Sequence, residues 1–158
     1  MVFFWDGARK LLKGIVATNL TKTLEAKIEN LKLCGLSAEE TWQVLGAAPI
    51  VFNLSKENVS EKINFLVNNM ELPANYVVKH ASLLHLNLDK IMRPRCLVWQ
   101  KMKSINDIDL PLVTVLRMPE ARFVSKIMKG HPESKTLWTI YENAISNASN
   151  RTKSSAKS

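Results

Sequence analysis

Apolar positions along this chain recur at helical rather than alternating spacing. Val59, Ile63, Leu66 and Met70 stand at i, i+4, i+7 and i+11, one stripe of a helix that a neighbour must cover. Val51, Phe52, Leu54, Val59, Phe65, Leu66 and Met70 are matched 32 positions later by Leu83, Leu84, Leu86, Ile91, Leu97, Val98 and Met102. A looser copy at a spacing of 35 sets Leu24, Ile28 and Leu31 against Val59, Ile63 and Leu66. Periods of this length mark helical arrays, in which each unit is too small to bury its apolar face alone.

Polar and proline residues punctuate the pattern. Ser37 followed by Glu40 reads as a capping box opening a helix at about Ala38. Pro49 ends that helix and leaves Ile50-Val51-Phe52 as a short apolar elbow, after which Ser55 caps a second helix. Pro73 begins the next unit, whose elbow is Ser82-Leu83-Leu84, with Ala81 where Pro49 stood. Pro111 and Pro119 open short helices, Phe123 and Ile127 share a face, and Gly130 with Pro132 makes a stop. Glu133 to Ile145 reads as a closing helix with Leu137, Ile140, Tyr141 and Ala144 on one side. The expectation is an all-α array over residues 1–146, about three to four units with the last degenerate. A disordered basic tail is expected over 147–158.

Composition agrees with a packed helical domain, being 46% hydrophobic and 23% charged with only five Gly. No apolar run approaches the ~20 residues needed to span a bilayer. Cys34 and Cys96 have no second Cys or His at metal spacing, so free thiols are expected, with no metal and no cofactor. Asn19, Asn53, Asn58, Asn147 and Asn150 head glycosylation sequons, but no secretory signal precedes them. His80, His85 and His131 lack i, i+4 partners and adjacent carboxylates, which favours packing or surface roles over metal binding or base catalysis. Trp42, Trp99 and Trp138 fall within helical patterns and read as core anchors rather than base-stacking platforms. No phosphate loop, nucleophile elbow or paired-carboxylate constellation appears, so no enzymatic activity is expected.

The stretches Gly35-Leu-Ser-Ala-Glu-Glu-Thr41, Ala48-Pro49-Ile-Val-Phe-Asn-Leu-Ser55 and Lys62-Ile-Asn-Phe-Leu66 resemble the repeat of the mitochondrial transcription termination factor (mTERF) family. Val78 to Asp89 and Arg93-Pro94-Arg95 are similar to its plant branch, and Phe123-Val-Ser-Lys126 with Leu137-Trp-Thr-Ile-Tyr141 to its C-terminal end. Together these cover about Leu11 to Tyr141. The resemblance implies a right-handed α-solenoid of two helices and a short 3-10 elbow per repeat. It further implies a monomer binding double-stranded DNA or structured RNA in a mitochondrion or chloroplast, in regulation or termination of transcription. Ala81 departs from the family's proline, and Met1–Lys13 carries Asp6 and lacks the composition of a transit peptide. A protein-binding scaffold and a non-functional short form are the alternatives.

Charge is unevenly spread within a total of 22 Lys+Arg against 14 Asp+Glu, a net +8. Lys90 to Lys103 holds Lys90, Arg93, Arg95, Lys101 and Lys103 with no acid, and Arg117 to Lys129 adds Arg117, Arg122, Lys126 and Lys129 against Glu120 alone. Gly35 to Asp89 is net acidic. A basic helix face often merely meets water, but an array aligns equivalent positions of successive units. The candidate phosphate contacts are therefore Lys62, Lys90, Arg93, Lys101, Lys103, Arg122, Lys126 and Lys129. If the helix runs through Pro94, Arg93 and Lys101 project away from the apolar stripe, and Arg95 falls on it opposite Ile63. An inward Arg95 then needs a carboxylate or carbonyl partner. If Pro94 starts the helix, these faces change.

Overall fold

The computed structural model describes residues 18–155, and all regular structure among them is helical. The chain divides into two compact units, Met1–Ala81 and Ser82–Ser158. Met1–Lys13, on which the targeting reading rests, and residues 156–158 lie outside the described residues.

The first unit contains α1 (Thr18–Leu33), α2 (Ala38–Ala47), a 3-10 elbow (Pro49–Asn53), α3 (Lys56–Asn64) and α4 (Ala74–Lys79). Its α1 packs on α2 and α3, and α2 on α4. Gly35 terminates α1 at φ +91, so that Leu36 N–H reaches Leu31 C=O at 3.3 Å and Gly35 N–H reaches Lys32 C=O at 2.9 Å. That left-handed cap favours a residue without Cβ. The expected capping box is present, with Ser37 Oγ accepting from Glu40 N–H at 3.2 Å and Glu40 Oε2 from Ser37 N–H at 2.8 Å. Ser55 caps α3 in the same manner, accepting from Asn58 N–H at 3.1 Å. Pro49 ends α2 as expected, and the elbow turns Val51 inward. The stripe Val59, Ile63, Leu66 and Met70 is buried throughout. Beyond Asn64 the helix widens into a π turn, Phe65–Asn69, which Met70 N–H closes on Phe65 C=O at 3.0 Å.

A second elbow, Ala81–His85, repeats the first at the expected spacing of 32. Ala81 therefore suffices where Pro49 stood: Leu83 and Leu84, both fully buried, supply the apolar drive. The second unit continues through a π turn (Leu88–Met92) into α5 (Arg93–Ser104), then α6 (Leu112–Arg117), α7 (Glu120–Phe123, extended by a π turn over Val124–Met128) and α8 (Ser134–Ser155). Pro94 thus interrupts no helical path. Met92 N–H bonds Asn87 C=O at 3.0 Å and Arg93 N–H bonds Leu88 C=O, widening the turn ahead of the residue that lacks an N–H. Pro111 and Pro119 stand at the caps of α6 and α7, as expected.

Val98, Met102, Val115, Phe123, Ile127, Leu137 and Tyr141 form the second core, where α5 packs against α6 and α8. Trp99 and Trp138 line its rim, partly buried, rather than anchoring its centre. The expected structureless tail is a departure, since α8 runs on to Ser155. Ala148 prolongs the buried stripe of Tyr141 and Ala144, and Ser149 Oγ bonds Ile145 C=O at 3.2 Å.

Candidate nucleic-acid interface

Helical periodicity sorts the bases of α5 into two faces. Pro94, Arg95, Cys96, Val98 and Met102 are buried, while Lys103 and, in the π turn ahead of the helix, Lys90 are exposed. Asn87 caps the entry, its Oδ1 accepting from Lys90 N–H at 2.8 Å. Arg93 Nε lies 3.0 Å from Asp89 Oδ1 one turn back, and Lys101 Nζ lies 3.3 Å from Glu133 Oε2. Lys103 Nζ sits 5.7 Å from the centre of the Trp99 ring, whose indole N–H donates to Leu110 C=O at 2.9 Å. In α7 and just beyond it, Arg122, Lys126 and Lys129 are exposed at i, i+4 and i+7, opposite the buried Phe123, Ile127 and Met128.

Arg95, on the inward face, has the carbonyl and carboxylate partners its position demands. Its Nη1 donates to Val115 C=O at 3.2 Å, Leu116 C=O at 3.1 Å and Met118 C=O, and its Nη2 to Glu120 Oε2 at 2.6 Å. The guanidinium also covers the Phe123 ring at 4.7 Å. Three carbonyls at the end of α6 are thereby capped from inside the protein. Tyr141 of α8 completes the network, donating to Glu120 Oε1 at 2.8 Å. Burial alone would raise the Glu120 carboxyl, but the hydrogen bonds from Arg95 and Tyr141 and the guanidinium charge outweigh it and hold the group below its usual range. Burial, reinforced by the hydrogen bond to Glu120 and its charge, pushes the Tyr141 hydroxyl up to about 12.

Lys62 does not belong with the other candidates. It is buried at 3% exposure in the first unit, and burial lowers its pKa. A side chain so enclosed has no route to a backbone phosphate. The looser 35-residue match held the signal, because it sets Lys62 opposite Lys27, another buried cation, whose ammonium donates to Leu54 C=O. Arg95 follows Lys62 by 33 positions and is buried too, so both units use an inward cation, and Lys27 and Arg95 satisfy main-chain carbonyls with theirs.

A second contact was invisible to local spacing. His131 Nε2 meets Asp107 Oδ2 at 2.6 Å, across 24 residues, so the absence of an adjacent carboxylate in the sequence misled. Glu133 N–H donates to Nδ1 of the same ring at 3.0 Å. His80 stacks at 4.5 Å on Tyr76, and His85 bonds Ser82 C=O, both packing roles as expected. Cys96 is buried, which pushes its thiol up to about 12, and Cys34 is half-buried; both are free. No helix among the described residues is long and apolar enough to cross a membrane.

The family model described as mTERF matches residues 10–124. Among curated proteins the chain is similar to the transcription termination factor MTERF8, chloroplastic, of Arabidopsis thaliana, at 36% identity over 54 residues. That alignment takes in 34% of this chain and 11% of the relative. No solved structure matches the chain.

Proposed function

We infer, since this chain belongs to the mTERF family, that it binds nucleic acid in organellar gene expression, with the exposed bases of α5 and α7 as its phosphate contacts. The observation that carries this reading is the sorting of cations in the second unit. Arg95 is turned inward onto carbonyls, whereas Lys90, Lys103, Arg122, Lys126 and Lys129 are exposed. Five exposed cations on these helical segments, with most of the apolar side chains turned inward and Leu97 of α5 exposed, suit a polyanion read by charge more than by base identity. Arg93 and Lys101 join the face once a phosphate replaces their carboxylates.

The relative's name, a chloroplastic transcription termination factor, supports an action on transcription in an organelle, mitochondrion or chloroplast, and double-stranded DNA or structured RNA is the proposed ligand. Fluorescence anisotropy with a short duplex and a structured RNA, each over a salt series, tests the reading. Binding at low salt that weakens steeply with salt is the expected result. Failure of both ligands at low salt would instead favour a protein-binding scaffold, for which Ile50 and Phe52, 42% and 38% exposed on the first elbow, are the contacts to examine.

A further inference from the structure

We propose that Glu133 is a built-in competitor of phosphate at Lys101, occupying that cation in the free protein and setting the affinity of the nucleic-acid face. The inference rests on the nucleic-acid reading above. Lys101 Nζ lies 3.3 Å from Glu133 Oε2, with side-chain exposures of 32% and 39%, so water and a backbone phosphate reach the pair from outside. A phosphate oxygen and a carboxylate oxygen compete for the same ammonium, and phosphate gains further because each contact releases condensed counterions from the polyanion.

The carboxylate is held in position by the backbone that carries it. Gly130 turns the chain at φ +79, Pro132 restricts the next step, and Glu133 N–H is anchored on His131 Nδ1 at 3.0 Å. The other nitrogen of that ring is fixed on Asp107 at 2.6 Å, in the segment that follows α5. Glu133 therefore faces Lys101 from a braced segment joining the start of α8 to the end of α5. Asp89 differs, since its pairing with Arg93 at i, i+4 also supports their own helical segment and its removal would mix two effects. Glu133 spans two elements and makes no such pair, and the effect of its charge at the start of α8 is separated from the competition by the Lys101→Ala background.

An exposed pair of this kind changes an equilibrium by roughly 1.4- to 5-fold. Anisotropy titration of the full chain with a short duplex at low salt, for wild type, Glu133→Gln, Lys101→Ala and the double variant, tests the proposal. Glu133→Gln is expected to tighten binding by about 2- to 5-fold, and the gain is expected to vanish in the Lys101→Ala background. Glu133→Ser, a residue suited to a helix start, is a second variant with the same expected gain. A wild type that binds, with neither substitution tightening it, overturns this inference and leaves the nucleic-acid reading standing. An equal gain in the Lys101→Ala background also overturns it, because the effect is then general charge. A wild type that binds no duplex overturns both.

Discussion

Arg95 Nη2 and Glu120 Oε2 meet at 2.6 Å, the guanidinium side chain 3% exposed and the carboxylate reaching it from a side chain 57% exposed. The pair joins α5 to the start of α7, and Tyr141 brings in α8 through the other carboxylate oxygen. Most of the stabilisation resides on the arginine side, where one buried group donates to three main-chain carbonyls, of which Val115 C=O also accepts from Met118 N–H at 3.4 Å. Arg95→Ala is expected to destabilise the protein by about 3–5 kcal/mol, because it takes the guanidinium donor from the Leu116 and Met118 carbonyls and empties a buried volume. Arg95→Met, which keeps the volume, is expected to lose less. Urea unfolding followed by circular dichroism measures both, and an alanine variant within about 0.5 kcal/mol of wild type would contradict the clamp.

The same network sets limits on pH stability. Glu120 is held below its ordinary value of 4.5, so its contribution is fully present above pH 4.5 and is lost as pH falls through the lower folded value. Tyr141 is raised from 10.0 to about 12, so its contribution is present below pH 10 and fades as pH climbs towards 12. Melting temperature across pH is expected to fall on both sides of that interval. Glu120→Gln is expected to blunt the acid limb and Tyr141→Phe the alkaline limb. Unchanged limbs in these variants would place the sensitivity elsewhere.

Helix ends supply a third expectation. Ser37→Ala and Ser55→Ala each remove a side-chain acceptor from a helix start and are expected to cost about 1 kcal/mol. Gly35→Ala meets no atom within 4 Å, so its cost arises from the positive φ alone, about 1–2 kcal/mol. Denaturant titration checks all three. A neutral Gly35→Ala would mean that the cap relaxes to another geometry.

Those ends were legible because their causes are local. Ser37 and Glu40, Pro49, Ser55 and the two prolines before α6 and α7 act within a turn or two of themselves. The elbows were legible through the 32-residue match, even with Ala81 replacing proline. The inward Arg95 followed from its place on the stripe beside Val98 and Met102. The errors lie where a residue's state depends on distant chain. Lys62 has the composition of a surface base, and only its burial removes it from the interface. Asp107 reaches His131 across 24 residues, and Ala148 prolongs α8 because tertiary burial outweighs a small, polar local composition. The carboxylates on Arg93 and Lys101 divide similarly: Asp89 lies at helical spacing from its partner, whereas Glu133 approaches from another element.

The salt dependence of duplex binding for Lys103→Ala/Lys126→Ala/Lys129→Ala against wild type tests the phosphate-binding face of the second unit directly. Lys32→Ala/Lys56→Ala, exposed positions of the first unit, is the control. Each phosphate contact contributes roughly 0.9 to the slope of log affinity against log salt, so the triple variant is expected to flatten it by about 2.7, with the control unchanged. A triple variant that stays folded and keeps the wild-type slope would contradict the assignment of the α5 and α7 bases as the phosphate-binding face.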